Sequence, residues 1–299
     1  MKRESYAPHA VLTLPTFHRC ELWRLVLGLV LATVIMFGLT RGIIALISGI
    51  VGPDRFPAVL SMITSGQDPW GLLAQLSLMG AMGIGAIVVA ETLHGRTAGS
   101  LFGPARLFWP QFLRVAAVLV ALNVVIALLP PWPLQMASEP GLPPGQWLAL
   151  LPLTIGALLV QTASEEVLFR GYFQSTLAAR VKWPAVWLIL PSLAFGLGHY
   201  APDVWGSNAV PIALWAVAFG LAAADLTARS GSLGPAIAFH LVNNFVAIGV
   251  MSLQGDLSGL ALTKLPYGPE DEAALAAILP VDLATLFVSW LAARLALRV

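Results

Sequence analysis

The stretch "WLALLPLTIGALLVQTASEEVLFRGYF", Trp147 to Phe173, runs apolar for its first half and then places Glu165, Glu166 and Arg170 within six positions. A bilayer core about 30 Å thick needs roughly 20 apolar residues per helix, and this run supplies most of one. Three charges inside or at the edge of such a helix are costly, by about 2.5–3.5 kcal/mol each on insertion scales. They persist there only when the protein uses them. The rest of the chain shows whether a membrane is the right solvent.

The composition says that it is. Of 299 residues, 58% are hydrophobic and 10% charged, and the mean hydropathy is +0.83. A soluble domain of this length needs far more polar residues to cover its surface. The formal net charge is +1, and no basic cluster suggests nucleic acid. The single cysteine, Cys20, excludes an internal disulfide and reads as an inert thiol near the membrane surface.

The fold class expected is therefore all-α, a polytopic membrane bundle of about eight transmembrane helices. The spans lie near 23–51, 71–93, 112–130, 147–180, 184–200, 209–228, 233–253 and 274–297. Residues 1–22 form a polar N-terminal tail. Residues 23–299 form a single bundle, with 147–253 carrying the chemistry. Ser77, Ala81 and Gly85 make a small-residue stripe that lets helices approach closely. "LPPWPLQMASEPGLPPGQW" and "YGPEDEA" read as loops.

With the N-terminus cytoplasmic, all of the 16 basic residues but Arg41, Arg55 and Lys264 fall on the cytoplasmic side. The expectation is a multi-pass protein with both termini in the cytoplasm, placed in the cell membrane if the source is bacterial. Membrane lipid is then its first partner.

Among the five histidines, only His199 and His240 join Glu165, Glu166 and Arg170 within or beside apolar spans, while Asp225 and Arg229, four apart, read as a pair at a helix end. Glu166 and Arg170 are four apart, so on a helix they share a face and can pair. Glu165 is rotated by about 100°, which leaves it free for another role. Phe195 and His199 are also four apart, as are His240 and Asn244. An antiparallel hairpin turning at Val181 and Lys182 brings Glu165 level with His199, and His240 joins from the seventh helix.

A carboxylate and an imidazole on neighbouring helices can hold a water, and one of them takes its proton while the oxygen attacks a carbonyl. His240 and Asn244 carry hydrogen-bond donors suited to a developing oxyanion. No G-x-S-x-G turn or Ser–His–Asp arrangement is present, so activated water is favoured over a covalent route. No cofactor is required in this reading. Its alternatives are zinc held by Glu165, His199 and His240, or a transporter or membrane partner protein using the same polar groups without hydrolysis.

"EEVLFR" (165–170), "FGLGH" (195–199) and "HLVNN" (240–244) occur in that order, and together they resemble the three motifs of the CAAX prenyl protease and bacteriocin-processing (CPBP, or Abi) intramembrane proteases. The resemblance implies an eight-helix bundle with a polar catalytic chamber and an intramembrane endopeptidase acting on a peptide or protein substrate, prenylated or not. By position it implies that Glu165 and His199 activate the water, and that His240 and Asn244 line the oxyanion site or position the water. Glu166 and Arg170 would hold the first motif in shape, with Phe195 supporting. The family is also described as metallopeptidase, which keeps zinc in view.

Overall fold

A computed structural model describes residues 3–129 and 138–299 of the chain; the expected loop segment at 130–137 lies outside the described residues. Every expected span contains a helix. These are α1 (Leu22–Val51), α2 (Pro69–His94), α3 (Ala105–Leu128), α4 (Pro144–Arg180), α5 (Pro184–Gly198), α6 (Ala209–Ser230), α7 (Gly234–Val250) and α8 (Glu272–Leu297). The described residues are almost entirely helical. Three two-residue strands, Glu139–Pro140, Met251–Ser252 and Thr263–Lys264, tie the outer connections together at one end of the bundle.

Six of the helices are long and apolar enough to cross a bilayer, and α5 and α7 are not. At 1.5 Å per residue, the 15 residues of α5 reach about 22 Å, short of the hydrocarbon thickness. Composition alone does not separate a short interior helix from a spanning one. α7 is interior, with Gly234 through His240 buried without a break. The outer helices show the opposite pattern: Val30, Val34, Phe37 and Ile50 of α1 are exposed. A water-soluble surface does not carry such a contiguous apolar face, and in this composition it is the face turned to lipid.

Local chemistry sets the helix ends. Asp68 caps α2, its carboxylate accepting from the Trp70 and Gly71 amides at 3.0 and 2.9 Å, with Pro69 at the first helical position where its missing N–H costs nothing. Asp271 accepts from the Ala274 amide to cap α8. The small-residue stripe on α2 does what its spacing predicts. A Cβ on Gly85 would stand 2.6 Å from the Ala32 carbonyl oxygen, so only glycine lets α1 and α2 approach this closely. A helix at Phe56–Ser65, between α1 and α2, was not expected.

The polar N-terminal segment is packed rather than trailing. Three short helical turns, Arg3–His9, Ala10–Thr13 and Leu14–Arg19, bury Leu12 and Thr16 completely. The Tyr6 hydroxyl donates to Asp225 Oδ1 on α6 at 2.7 Å, and the His9 ring lies 4.8 Å from that of Trp187 on α5. Arg96, just past α2, is buried and donates to Ser175 Oγ at 2.8 Å and to the Leu12 carbonyl at 3.3 Å. These contacts pin the segment across the ends of α4, α5 and α6.

Candidate active site

The stretch that opens the chain's polar chemistry changes helix type where its charges sit. α4 is an ordinary α-helix from Pro144 to Glu166, widens into a π-helix over Val167–Gln174, and closes with an α turn at Ser175–Arg180. α7 repeats the device, α-helical over Gly234–Asn244 and π-helical over Phe245–Val250. In both, the wide turn begins one residue after a motif side chain. Such π segments are rare and concentrate at functional sites, because the looser turn re-aims neighbouring side chains.

The expected pairing across this boundary is present. Arg170 Nη1 donates to Glu166 Oε1 at 3.0 Å, and both side chains are wholly inaccessible to solvent. Arg170 Nη2 donates to the Gly220 carbonyl of α6 at 3.1 Å, and the guanidinium carbon lies 4.8 Å from the Phe195 ring centroid. Glu166 is more than half of an ion pair. Its Oε1 also accepts from His240 Nδ1 at 2.8 Å, so the carboxylate expected only to shape the first motif orients the imidazole of the third.

That contact fixes the ring. A carboxylate facing a cation accepts, so Nδ1 carries a proton and Nε2 is turned towards Glu165. Nε2 then lies 3.8 Å from Glu165 Oε2, too far for a direct hydrogen bond and near enough for one small molecule to touch both. Glu165 Oε2 is buried and has no hydrogen-bond partner in the protein. The ring edge packs on Phe219 at 4.8 Å and Phe195 at 6.0 Å, a dry aromatic wall.

His199 is placed differently from the expectation. It caps the C-terminal end of α5, exposed, and no hydrogen bond or ion pair joins it to either glutamate among the described residues. Its ring lies 4.5 Å from Phe195, on the residue that also abuts His240. Nδ1 is 2.8 Å from the Phe195 carbonyl. A carbonyl only accepts, so Nδ1 carries a proton. The imidazole in direct reach of the acid is therefore His240, with Phe195 between it and His199.

Asn244 shares the face of His240, as its spacing predicts, and donates through Nδ2 to Gln161 Oε1 at 2.9 Å. Gln161 Nε2 in turn donates to Glu165 Oε1 at 2.6 Å. Gln161 facing Asn244 and, one turn along, Glu165 and Glu166 facing His240 is the register of two antiparallel helices. Gln161, Phe219 and the Gly220 carbonyl complete the site and were not expected. Gln161 could have been found by the rule that paired Glu166 with Arg170, since it precedes Glu165 by four positions. Phe219 and Gly220 carry no motif.

Zinc held by Glu165, His199 and His240 needs three donors around one point. Among the described residues no three His, Cys, Asp or Glu side chains converge in this way. On the far side of α7, Phe239, Val242 and Asn243 help to line a largely apolar cavity of about 510 Å³ that reaches to Trp215, Leu279 and Asp282.

Fold and site define a class: a multi-pass helical membrane protein with a buried carboxyl–imidazole cluster built from α4 and α7 against α5 and α6. Residues 146–246 match the family model for type II CAAX prenyl endopeptidases, described as Rce1-like. This Rce1-like domain supports the CAAX/CPBP protease family resemblance drawn from the three motifs, all of which lie within it. No curated protein and no solved structure matches the chain.

Proposed function

We propose that the protein is an intramembrane endopeptidase that hydrolyses a peptide bond near the membrane surface by water activated at Glu165. The single observation that carries this reading is His240 held between two carboxylates, Nδ1 on Glu166 and Nε2 3.8 Å from the unpartnered Oε2 of Glu165. Two carboxyl groups face one guanidinium and one imidazole, so the buried polar groups pair with one another in a low-dielectric site.

In this scheme a water lodged between Glu165 and His240 gives its proton to Glu165 while its oxygen bonds to the scissile carbonyl carbon. The carbonyl π pair moves onto oxygen, and the N–H of His240 Nε2 stabilises the oxyanion. Collapse breaks the C–N bond, and Glu165 returns the proton to the departing amine. His199, outside this cluster, is the second base that the motif resemblance implies. The substrate is a membrane-anchored peptide, prenylated or not, and the termini face the cytoplasm. No metal takes part in any step.

The test uses purified full-length protein in lipid nanodiscs with anchored peptides, with and without a prenyl group. Wild type is expected to cleave, Glu165→Gln and His199→Ala to fail while remaining folded, and a chelator to leave the rate unchanged. Cleavage by Glu165→Gln at the wild-type rate would sink the assignment. A wild type that cleaves nothing, while an ion gradient drives uptake, would replace it with transport.

A further inference from the structure

We infer that Gln161 is a positioning residue for Glu165, the last member of an amide relay that runs from Asn243 through Asn244. The inference rests on the protease reading and adds a residue outside all three motifs.

The relay has a direction that the carboxylate dictates. Ionised Glu165 has no proton to give, so Gln161 must turn its NH₂ towards Oε1, at 2.6 Å. That choice points Gln161 Oε1 at Asn244, which must then present its own NH₂, at 2.9 Å. Asn244 Oδ1 is left as an acceptor, and Asn243 Nδ2 donates to it at 3.3 Å. One acceptor-only group thus orients three amides in series, and each bond polarises the next. Gln161 is buried, as is Glu165, so water does not substitute readily for this donor. By occupying Oε1, Gln161 leaves Oε2 as the atom turned towards His240.

The same chain reassigns Asn244. One of its two N–H groups donates to Gln161, so Asn244 acts on the reaction through Gln161. The relay also begins at Asn243, a residue of the apolar cavity wall, so the cavity and the carboxylate share one hydrogen-bonded path.

The experiment is a double-mutant cycle on peptide cleavage. Gln161→Met keeps the length of the side chain and removes both of its hydrogen-bonding ends. It is expected to lower kcat by about 10- to 100-fold, the range seen when an orienting partner is lost, with KM unchanged and the melting curve still cooperative. Asn244→Asp reverses the relay, because an aspartate accepts from Gln161 and turns its oxygen towards Glu165. It is expected to lower kcat in the wild-type background and to add nothing in the Gln161→Met background. A Gln161→Met enzyme within twofold of wild type overturns the inference. So does Asn244→Asp costing the same factor in both backgrounds, which would place Asn244 on the substrate. Should Gln161→Met not fold, Gln161→Glu takes its place in the same cycle: it sets an acceptor against Glu165, and an unaltered kcat there overturns the inference equally. A wild type that cleaves nothing sinks the protease reading instead.

Discussion

Two carboxylates in this protein are followed, four residues later, by an arginine that pairs with them, yet they end in opposite circumstances. Glu166 and Arg170 are wholly buried at 3.0 Å; Asp225 and Arg229, at 2.8 Å, keep 11% and 15% of their side chains exposed. Asp225 has every need met: Oδ1 accepts from Tyr6 and Arg229, and Oδ2 accepts from Trp290 Nε1 at 3.0 Å with Arg294 at 3.9 Å. Around Glu166 the count does not close, and Glu165 Oε2, Glu166 Oε2 and Arg170 Nε are buried without partners. The Asp225 cluster is a clamp, joining the N-terminal segment, α6 and α8. The Glu165–Glu166 cluster is buried with hydrogen-bonding capacity that the protein does not fill, the kind of feature that supports the proposed site.

The contrast is broken most severely at Glu165. Glu165→Gln keeps shape and the Gln161 contact but removes the proposed base, so turnover is expected to fall by about 10²–10⁴-fold, with folding retained. The matching change in the clamp, Asp225→Asn, is expected to leave kcat within about threefold of wild type. Parallel measurements of cleavage and melting on the two variants separate chemistry from architecture. If both lose turnover alike, the division between them is wrong.

Arg170→Met comes next. Removing one partner of a buried pair leaves Glu166 charged and uncompensated, a loss of about 3–5 kcal/mol, and it also frees the Gly220 carbonyl. Denaturation in mild detergent should show a large drop in stability with activity lost as a consequence. Asp225→Asn, which strips the carboxylate of only some of its bonds, should cost about 1–2 kcal/mol. A larger loss at Asp225 than at Arg170 would invert the comparison.

Both pairs were legible in the sequence because a helix puts residues four apart on one face, and that rule needs no tertiary structure. The helix count was legible for the same kind of reason, since apolar run length is a local property. What lay beyond reach depended on other elements. Pairing Glu165 with His199 takes a straight hairpin, whereas α4 passes through a π turn after Glu166 and His199 is the C-terminal cap of α5. The imidazole that meets the acid comes from α7, 74 positions from Glu166. The polar composition of residues 5–19 reads as a tail because its anchors, Leu12, Tyr6 and His9, are single residues without periodicity. Their partners, Asp225 and Trp187, lie on remote helices.

The smallest effect probes the clamp from its N-terminal side. Burial, then the hydrogen bond to Asp225, pushes the Tyr6 hydroxyl up to about 12 from an ordinary value of 10. A raised value means that the folded state prefers the protonated phenol, so the contribution is full below pH 10 and is lost as pH rises towards 12. On the acid side, burial and then the nearby Arg96 hold His9 down at about 3. The folded state prefers neutral His9, so its contribution is full above pH 6.5 and is lost as pH falls towards 3. Tyr6→Phe should therefore cost about 1 kcal/mol at neutral pH and flatten the alkaline limb of the melting temperature. His9→Phe, which keeps a ring against Trp187, should flatten the acid limb instead. Limited proteolysis between residues 5 and 19, followed across pH, reads the same release directly: cleavage rising above pH 10 in wild type but not in Tyr6→Phe fits the clamp, and a pH-independent digest in wild type refutes it.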